Sequence, residues 1–367
     1  MVATELGFAV REYSDPGEWN ALLLDHPRNH ILQSWGWGEL KGSVGWEPVR
    51  VAVLRRDGQF AAAQLLFKRM AGLAVAYVPR GPLWSGDLEL DRSLVQFLRT
   101  IAHRRRAAFL RLEPNILEHD ALAGMLHSLL QVTGFEVAAP LQPRTSIHLD
   151  LASPSEKLLL GASKGHRADV RRAERNGVTV RVGSTATDLA AFYAIMQATA
   201  ARGQFGIHSA EYYARAFHEL SAPAYDTPGH DGGAAHVLLA ELGGAVVAAF
   251  MIFGWGTEGQ YMYSGSNELG LKSGANHLLQ WSSIRWVQAQ GCRCYDLWGV
   301  PELAADLEAA MGDERVALEA AAQAHPLYGA YRFKKGWGGQ VVRYLPAYDQ
   351  VYIRPAYWWW KRRRAAA

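Results

Sequence analysis

The chain carries the same succession of elements twice, and a duplicated unit restricts the folds open to it more than any single motif does. Residues 49–113 read hairpin, strand, helix, strand. The hairpin VRVAVLRRDGQFAAAQLLFKRM turns at Asp57-Gly58, and the strand LAVAYVPRGPLW follows. A helix runs from about Asp91 to Arg106, and the strand AAFLRLEP closes the unit. Residues 236–300 repeat that order: HVLLAELGGAVVAAFMIFGW turning at Gly243-Gly244, then GQYMYSGS, a helix from about Ser273 to Gln290, and CRCYDLWGV. Gly81 to Gly265 and Ala107 to Gly291 both span 184 residues. Two related lobes make a cleft, which is where a ligand is expected.

A length of 367 residues suits two domains, and 49% hydrophobic with 20% charged residues is enough to fill two cores. A net charge of +3 demands no polyanion globally, so local clusters decide. Cys292 and Cys294 lie two apart in a predicted strand and read as small core residues of a reducing compartment. No Cys/His set has zinc-ligand spacing, and no metal is expected. MVATELGFAVREY has neither a basic nor an apolar leader region. The apolar stretch Val237 to Trp255 is broken by Glu241 and the Gly-Gly turn, so it reads as a hairpin. A cytoplasmic protein is expected.

Further helices are predicted around Glu18–Leu24, over 120–131, from about Pro154 to Leu160, around Thr187–Ala201 and over about Glu302–Ala322. The basic segment KGHRADVRRAERNG reads as a helix ending at Asn176-Gly177. The whole reads as an α/β (α+β) chain. Domain 1 is expected over 1–147 plus 338–367 and domain 2 over 148–337, each an acyltransferase-like unit.

QSWGWGELKG, VPRGPLW, SKGHRADVRRAERNGVTV, YMYSGS, YDLWGV and YRFKKGWGG stand in that order along the chain. In this it resembles the FemABX peptidyltransferases, tRNA-dependent aminoacyltransferases of cell-wall synthesis. The resemblance implies two tandem GNAT-like domains with a cleft, and no coiled-coil arm, since no heptad run is sustained. It also implies transfer of an amino acid from aminoacyl-tRNA to the side-chain amine of the stem-peptide diamino acid of a peptidoglycan precursor. That precursor is UDP-MurNAc-pentapeptide or its lipid-linked form, and the product is an interpeptide bridge. On this resemblance domain 1 binds precursor, and domain 2 supplies the basic helix and the tRNA-end and catalytic segment.

Aminolysis of an ester needs positioning, loss of the amine proton and stabilisation of negative charge, and no cofactor beyond the aminoacyl-tRNA co-substrate. By the resemblance Lys334 stabilises that charge and Phe333 packs beside the terminal base or ribose, with Lys335 making the assignment ambiguous by one residue. Lys164, Arg167, Arg171 and Arg175 are spaced 3, 4 and 4, which puts four cations on one helix face toward a phosphate-bearing partner or toward solvent. Arg167 matches the family's precursor-binding arginine best, with Arg171 the other choice. Lys41 and Trp37 resemble its aromatic-lysine segment at the nucleotide. Tyr261 and Tyr263 flank Met262, so both are expected on one side of a strand, one of them within reach of substrate. Asp87 is a candidate base, and Arg80 a shaper of the strand-to-loop turn near substrate. YWWWKRRR suits an anionic membrane face, or a packed helix with a charged end.

A neighbouring class, the acyl-CoA N-acyltransferases, reads pyrophosphate with an R/Q-x-x-G-x-G/A loop opening a helix. Here the corresponding segment is LKSGAN, with one glycine. A noncatalytic tRNA- or precursor-binding protein is the third reading.

Overall fold

A computed structural model of the chain describes residues 2–3, 8–70, 72–221 and 235–365. Most of MVATELG, on which the leader reading rested, lies outside the described residues. The chain divides into two compact units, Met1–Arg144 with Arg343–Ala367, and Thr145–Val342.

The first unit holds β1 (Val2–Ala3), β2 (Ala9–Glu12), β3 (Glu47–Leu54), β4 (Phe60–Met70), β5 (Leu73–Val78), β6 (Ala107–Leu112) and β7 (Glu136–Ala138). The second holds β8 (Thr145–Asp150), β9 (Thr179–Gly183), β10 (Ala235–Leu242), β11 (Ala245–Trp255), β12 (Glu258–Ser266), β13 (Cys294–Asp296) and β14 (Gln340–Arg343). The returning chain adds β15 (Ala347–Val351) to the first sheet, whose order is β1-β2-β3-β4-β5-β6-β15-β7. The second sheet runs β14-β8-β13-β12-β11-β10-β9. The sequence boundary at 147 would cut β8, because FEVAAPLQPRTSIHLDL forms two strands, β7 and β8, in different sheets.

The duplication is visible in the pairing. In the first unit β3 pairs β4 and β4 pairs β5 antiparallel, and β5 then pairs β6 in parallel across the helix Leu88–Arg104. In the second unit β10, β11 and β12 pair antiparallel, and β12 pairs β13 in parallel across the helix Ala275–Ala289. Each helix buries an apolar stripe on its sheet. Leu90, Leu94, Leu98 and Ile101 of the first cover Val51, Val53, Ala63 and Leu65, and Leu279, Ile284 and Val287 of the second join Ala248, Phe250 and Ile252. In the first helix the spacings of 4, 4 and 3 place these residues on one face.

Two local expectations change. The predicted helix over 302–322 is two helices, Ala304–Ala309 and Gly312–Gln323, with Gly312 at φ +54 between their bodies. AEYYARAFHEL forms a helix, Ala210–Leu220, that the polar surroundings of the segment concealed. Among the described residues the longest helix has 18 residues, so no coiled-coil arm is present there.

Candidate active site

YRFKK lies in the helix Tyr328–Lys335, whose buried positions are Tyr331 and Lys334, three apart and so on one face. Lys334 is 9% exposed. Its ammonium donates to the carbonyl oxygens of Trp298 at 3.2 Å and Gly299 at 2.8 Å. It also lies 5.7 Å from the centre of the Tyr261 ring. An ammonium has three protons, so two of them hold it in place and one remains for a substrate oxygen. Burial lowers its pKa to about 8, with the nearby Asp296 carboxylate opposing the shift. The acceptor carbonyls converge because the chain leaves β13 through a left-handed turn at Trp298, φ +63. Asp296, fully buried, fixes that turn by accepting from the Trp298 amide at 2.7 Å. Lys335 pairs instead with Glu308 at 2.8 Å, and of the two lysines it is Lys334 that lines the cavity of this unit.

β12 and β13 pair only from Glu258/Cys294 to Gln260/Asp296, and β12 then continues to Ser266 paired with β11 but no longer with β13. Within this unit a cavity of about 950 Å³ opens, lined by Lys334, Phe333, Tyr261, Tyr263, His208 and Asn276 among others. The two tyrosines do not share a face. Met251 pairs with Tyr263 and Ile252 with Tyr261, so Met262 is a β-bulge and the alternation breaks there. Tyr261 packs on Phe250 and Tyr295 of the core, while Tyr263 meets Phe253 and Tyr213. Burial raises the hydroxyl pKa of Tyr263 well above its ordinary value, so this group donates hydrogen bonds and is no base at neutral pH.

Phe333 packs its ring against His277 and His166 at centroid distances of 5.1 and 5.8 Å, and its edge remains on the cavity. The basic helix is Lys164–Arg175, buried through Val170 and Ala173 and capped by Ser163. Lys164, Arg171 and Arg175 are exposed. Arg167 is not: its guanidinium donates to the backbone oxygens of Leu160 (2.7 Å) and Ala162, closing the preceding helix. The Arg167 guanidinium is thus engaged with backbone, whereas Arg171, like Lys164 and Arg175, faces solvent.

In the first unit Lys41 and Trp37 come together on the helix Trp35–Gly42, with the ammonium 4.7 Å from the indole centre. Burial lowers the pKa of Lys41 to about 8, and Lys68 adds to the shift. Arg80 is 2% exposed, donates to the Pro143 carbonyl oxygen at 2.7 Å and stacks 3.7 Å over Tyr344. In this position it shapes the turn. Asp87 caps the helix Leu88–Arg104 by accepting from the amides of Glu89 and Leu90, and it pairs with Arg55 at 2.6 Å. The Leu90 amide bond, then Arg55, lower its pKa, which favours the charged carboxylate of a helix cap over a proton acceptor. Two groups escaped the sequence reading. Asp296 sits inside the quoted YDLWGV, where nothing but burial marks it out. Glu113, in AAFLRLEP, is 5% exposed, accepts from Tyr77 and the Leu141 amide, and has a pKa raised by burial.

The C-terminal helix Arg354–Ala365 docks through Tyr357, which donates to Asp349 at 2.6 Å, and through Trp360, 4.7 Å from Phe109. Trp358 and Trp359 stand outward, 60% and 45% exposed, with Arg362 and Arg363 stacked on them at 4.4 and 4.3 Å. Among the described residues no helix is long and apolar enough to cross a membrane.

A twice-used strand-helix-strand unit, parted after a bulged strand to seat a buried lysine, defines a tandem GNAT-like acyltransferase. An acetyltransferase (GNAT) domain model matches residues 162–335, and the FemAB family model matches residues 16–222. The chain belongs to the FemAB family. It is 27% identical to the UDP-N-acetylmuramoylpentapeptide-lysine N(6)-alanyltransferase of Weissella viridescens, over 81% of this chain and 86% of that one. It is also 27% identical to the lipid II:glycine glycyltransferase of Staphylococcus saprophyticus, over 61% of this chain and 54% of the relative, about half of its length. Among solved structures FemX superimposes with a TM-score of 0.78 at 20% identity, covering 95% of this chain and 98% of that one.

Proposed function

We propose that this chain transfers an amino acid from aminoacyl-tRNA to the side-chain amine of the stem-peptide diamino acid of a peptidoglycan precursor, forming an interpeptide bridge. The observation that carries the reading is Lys334 in a chain of the FemAB family: buried on a cavity, tethered by two carbonyl oxygens, with one donor proton left over. The stem-peptide amine attacks the ester carbonyl, and the electron pair moves to the carbonyl oxygen. As the tetrahedral intermediate collapses, the ribose oxygen leaves with a proton from Lys334, and the attacking nitrogen gives up its own proton through water, which restores the Lys334 ammonium. With a pKa of about 8, Lys334 is mostly charged at neutral pH and acidic enough to give a proton to that leaving oxygen. A preorganised ammonium in a water-poor site contributes roughly 3 kcal/mol to such a step. Phe333 offers its ring to the terminal ribose or base, and the exposed Lys164, Arg171 and Arg175 offer cations to phosphates.

The acyl-CoA reading is disfavoured by packing. Gly274 opens the helix Ala275–Ala289, where a pyrophosphate would bind, but a Cβ there would lie 2.8 Å from the Asp169 carbonyl oxygen. The basic helix thus covers the amides that CoA would need. The exposed tryptophan-arginine face of the C-terminal helix suits the surface of an anionic membrane, where a lipid-linked precursor resides.

The deciding experiment offers a panel of charged tRNAs and both soluble and lipid-linked precursors, read by mass spectrometry. A mass increase of one residue on the stem peptide is expected. Absence of transfer from every tRNA, together with a thermal shift by acetyl-CoA, would overturn the assignment.

A further inference from the structure

Three neighbouring strands of the second sheet bring together a histidine, a cysteine and a glutamate that the transfer reaction does not use. In the β13–β8 register Cys294 lies opposite Asp150, and Asp296 opposite His148. In the β12–β13 register Glu258 lies opposite Cys294. Residues directly opposite or two apart share a face, so His148, Cys294, Glu258 and Asp296 all project from one side. The alternate residues Leu149 and Tyr295 fill the core on the other side. One ligand atom from each of His148, Glu258 and Cys294 lies within 4.8 Å of the other two, and all three residues are half-buried.

We propose that His148, Cys294 and Glu258 form a binding site for a zinc-class divalent cation. Ligand atoms sharing one zinc ion stand roughly 3.3–3.8 Å apart at bond lengths of about 2.0–2.3 Å, which small rotamer changes reach from this cluster. A thiolate, an imidazole and a carboxylate form a mixed donor set that selects zinc or cobalt over magnesium or calcium. Asp296 adds a second carboxylate beside the cluster, 3.7 Å from the Nε2 of His148, near enough to attract the imidazole electrostatically. The ligands come from positions 148, 258 and 294, so no local spacing in the sequence reveals them. The ion would clasp the ends of β8, β12 and β13. Directly beyond β13 lie Trp298 and Gly299, whose carbonyl oxygens hold Lys334. The inferred role is a structural brace for that segment.

The test uses the untagged full chain, stripped with a chelator and titrated with cobalt(II). One equivalent is expected to bind with a sulfur-to-cobalt charge-transfer band in the near ultraviolet. Cys294→Ser should abolish the band. Cys292→Ala should keep it, because Cys292 is a core residue outside the cluster. Zinc should raise the Tm of the stripped wild type and leave that of Cys294→Ser unmoved. If Cys294→Ser does not fold, Glu258→Gln, at a half-buried position, serves instead and should weaken cobalt binding at least tenfold. The site is rejected if the wild type shows no charge-transfer band, if Cys294→Ser keeps it, or if Glu258→Gln binds cobalt unchanged.

Discussion

The Nε2 of His166 lies 2.8 Å from the carbonyl oxygen of Phe333, so the basic helix is pinned to the residue just before Lys334. A carbonyl only accepts, so Nε2 carries the proton and Nδ1 receives the Ser163 hydroxyl at 2.9 Å. Gly336 closes the contact, since a Cβ there would sit 2.1 Å from the imidazole. His166→Ala should therefore misplace the catalytic segment without removing any proposed reacting group. Single-turnover transfer is expected to slow about tenfold, a loss typical of small misplacements. A wild-type rate in this variant would show that the helix contact does not position Lys334.

In the proposed mechanism Lys334 acts in its charged form, and that form is lost as pH rises through about 8. The alkaline limb of kcat for the wild type should therefore fall near pH 8. Lys334→Arg, which stays charged, should be slower but lose that limb, and Lys334→Ala should fall by about a hundredfold or more. A limb at the same pH in the arginine variant would assign it to another group.

The same burial has a signature in stability. Folding lowers the pKa of Lys334 from its ordinary 10.5 to about 8, so between those values the unfolded chain binds more protons than the folded one. Stability from this group therefore rises as pH climbs through that window, by at most about 3 kcal/mol. In Lys334→Met the rise should vanish. Chemical denaturation of both proteins at pH 7.5 and 10 gives the difference, and parallel slopes would contradict the assignment.

The duplicated unit was legible because hairpin turns and alternating strands are local signals, and the basic helix because its charges recur at helical spacing. Lys334 was found through a motif, but its carbonyl tethers were not, since Trp298 and Gly299 lie far away in sequence. Tyr261 and Tyr263 were misjudged because a bulge at Met262 depends on how β11 pairs with β12, which alternation alone cannot express. Asp87 and Arg80 look reactive in sequence because both are charged. In the structure Asp87 caps a helix and pairs with Arg55, and Arg80 donates to the Pro143 carbonyl oxygen and stacks on Tyr344.

Arg167 and Arg171 separate binding from folding. Arg167 holds the end of the helix Ser155–Gly161, so Arg167→Ala should lower Tm by a few degrees and change precursor KM less than twofold. Arg171 is exposed beside other cations, so Arg171→Ala should raise KM for the phosphate-bearing substrate severalfold, with an effect that shrinks at high salt. The reverse pattern would restore Arg167 as the binding residue.

The C-terminal helix divides its aromatic residues between two tasks. Tyr357 and Trp360 pack on Phe109, whereas Trp358 and Trp359 are largely exposed with arginines laid across them. Outward indoles flanked by cations match the interfacial region of an anionic bilayer, where each basic residue near the surface adds roughly 1 kcal/mol. Replacing Trp358 and Trp359 by Ser and Arg362 and Arg363 by Gln leaves the packed side untouched, so Tm should hardly change. Co-sedimentation with vesicles containing phosphatidylglycerol should fall at least tenfold, and transfer to lipid-linked precursor should fall more than transfer to the soluble one. Equal pelleting of both proteins would mean that this face serves something other than a lipid surface.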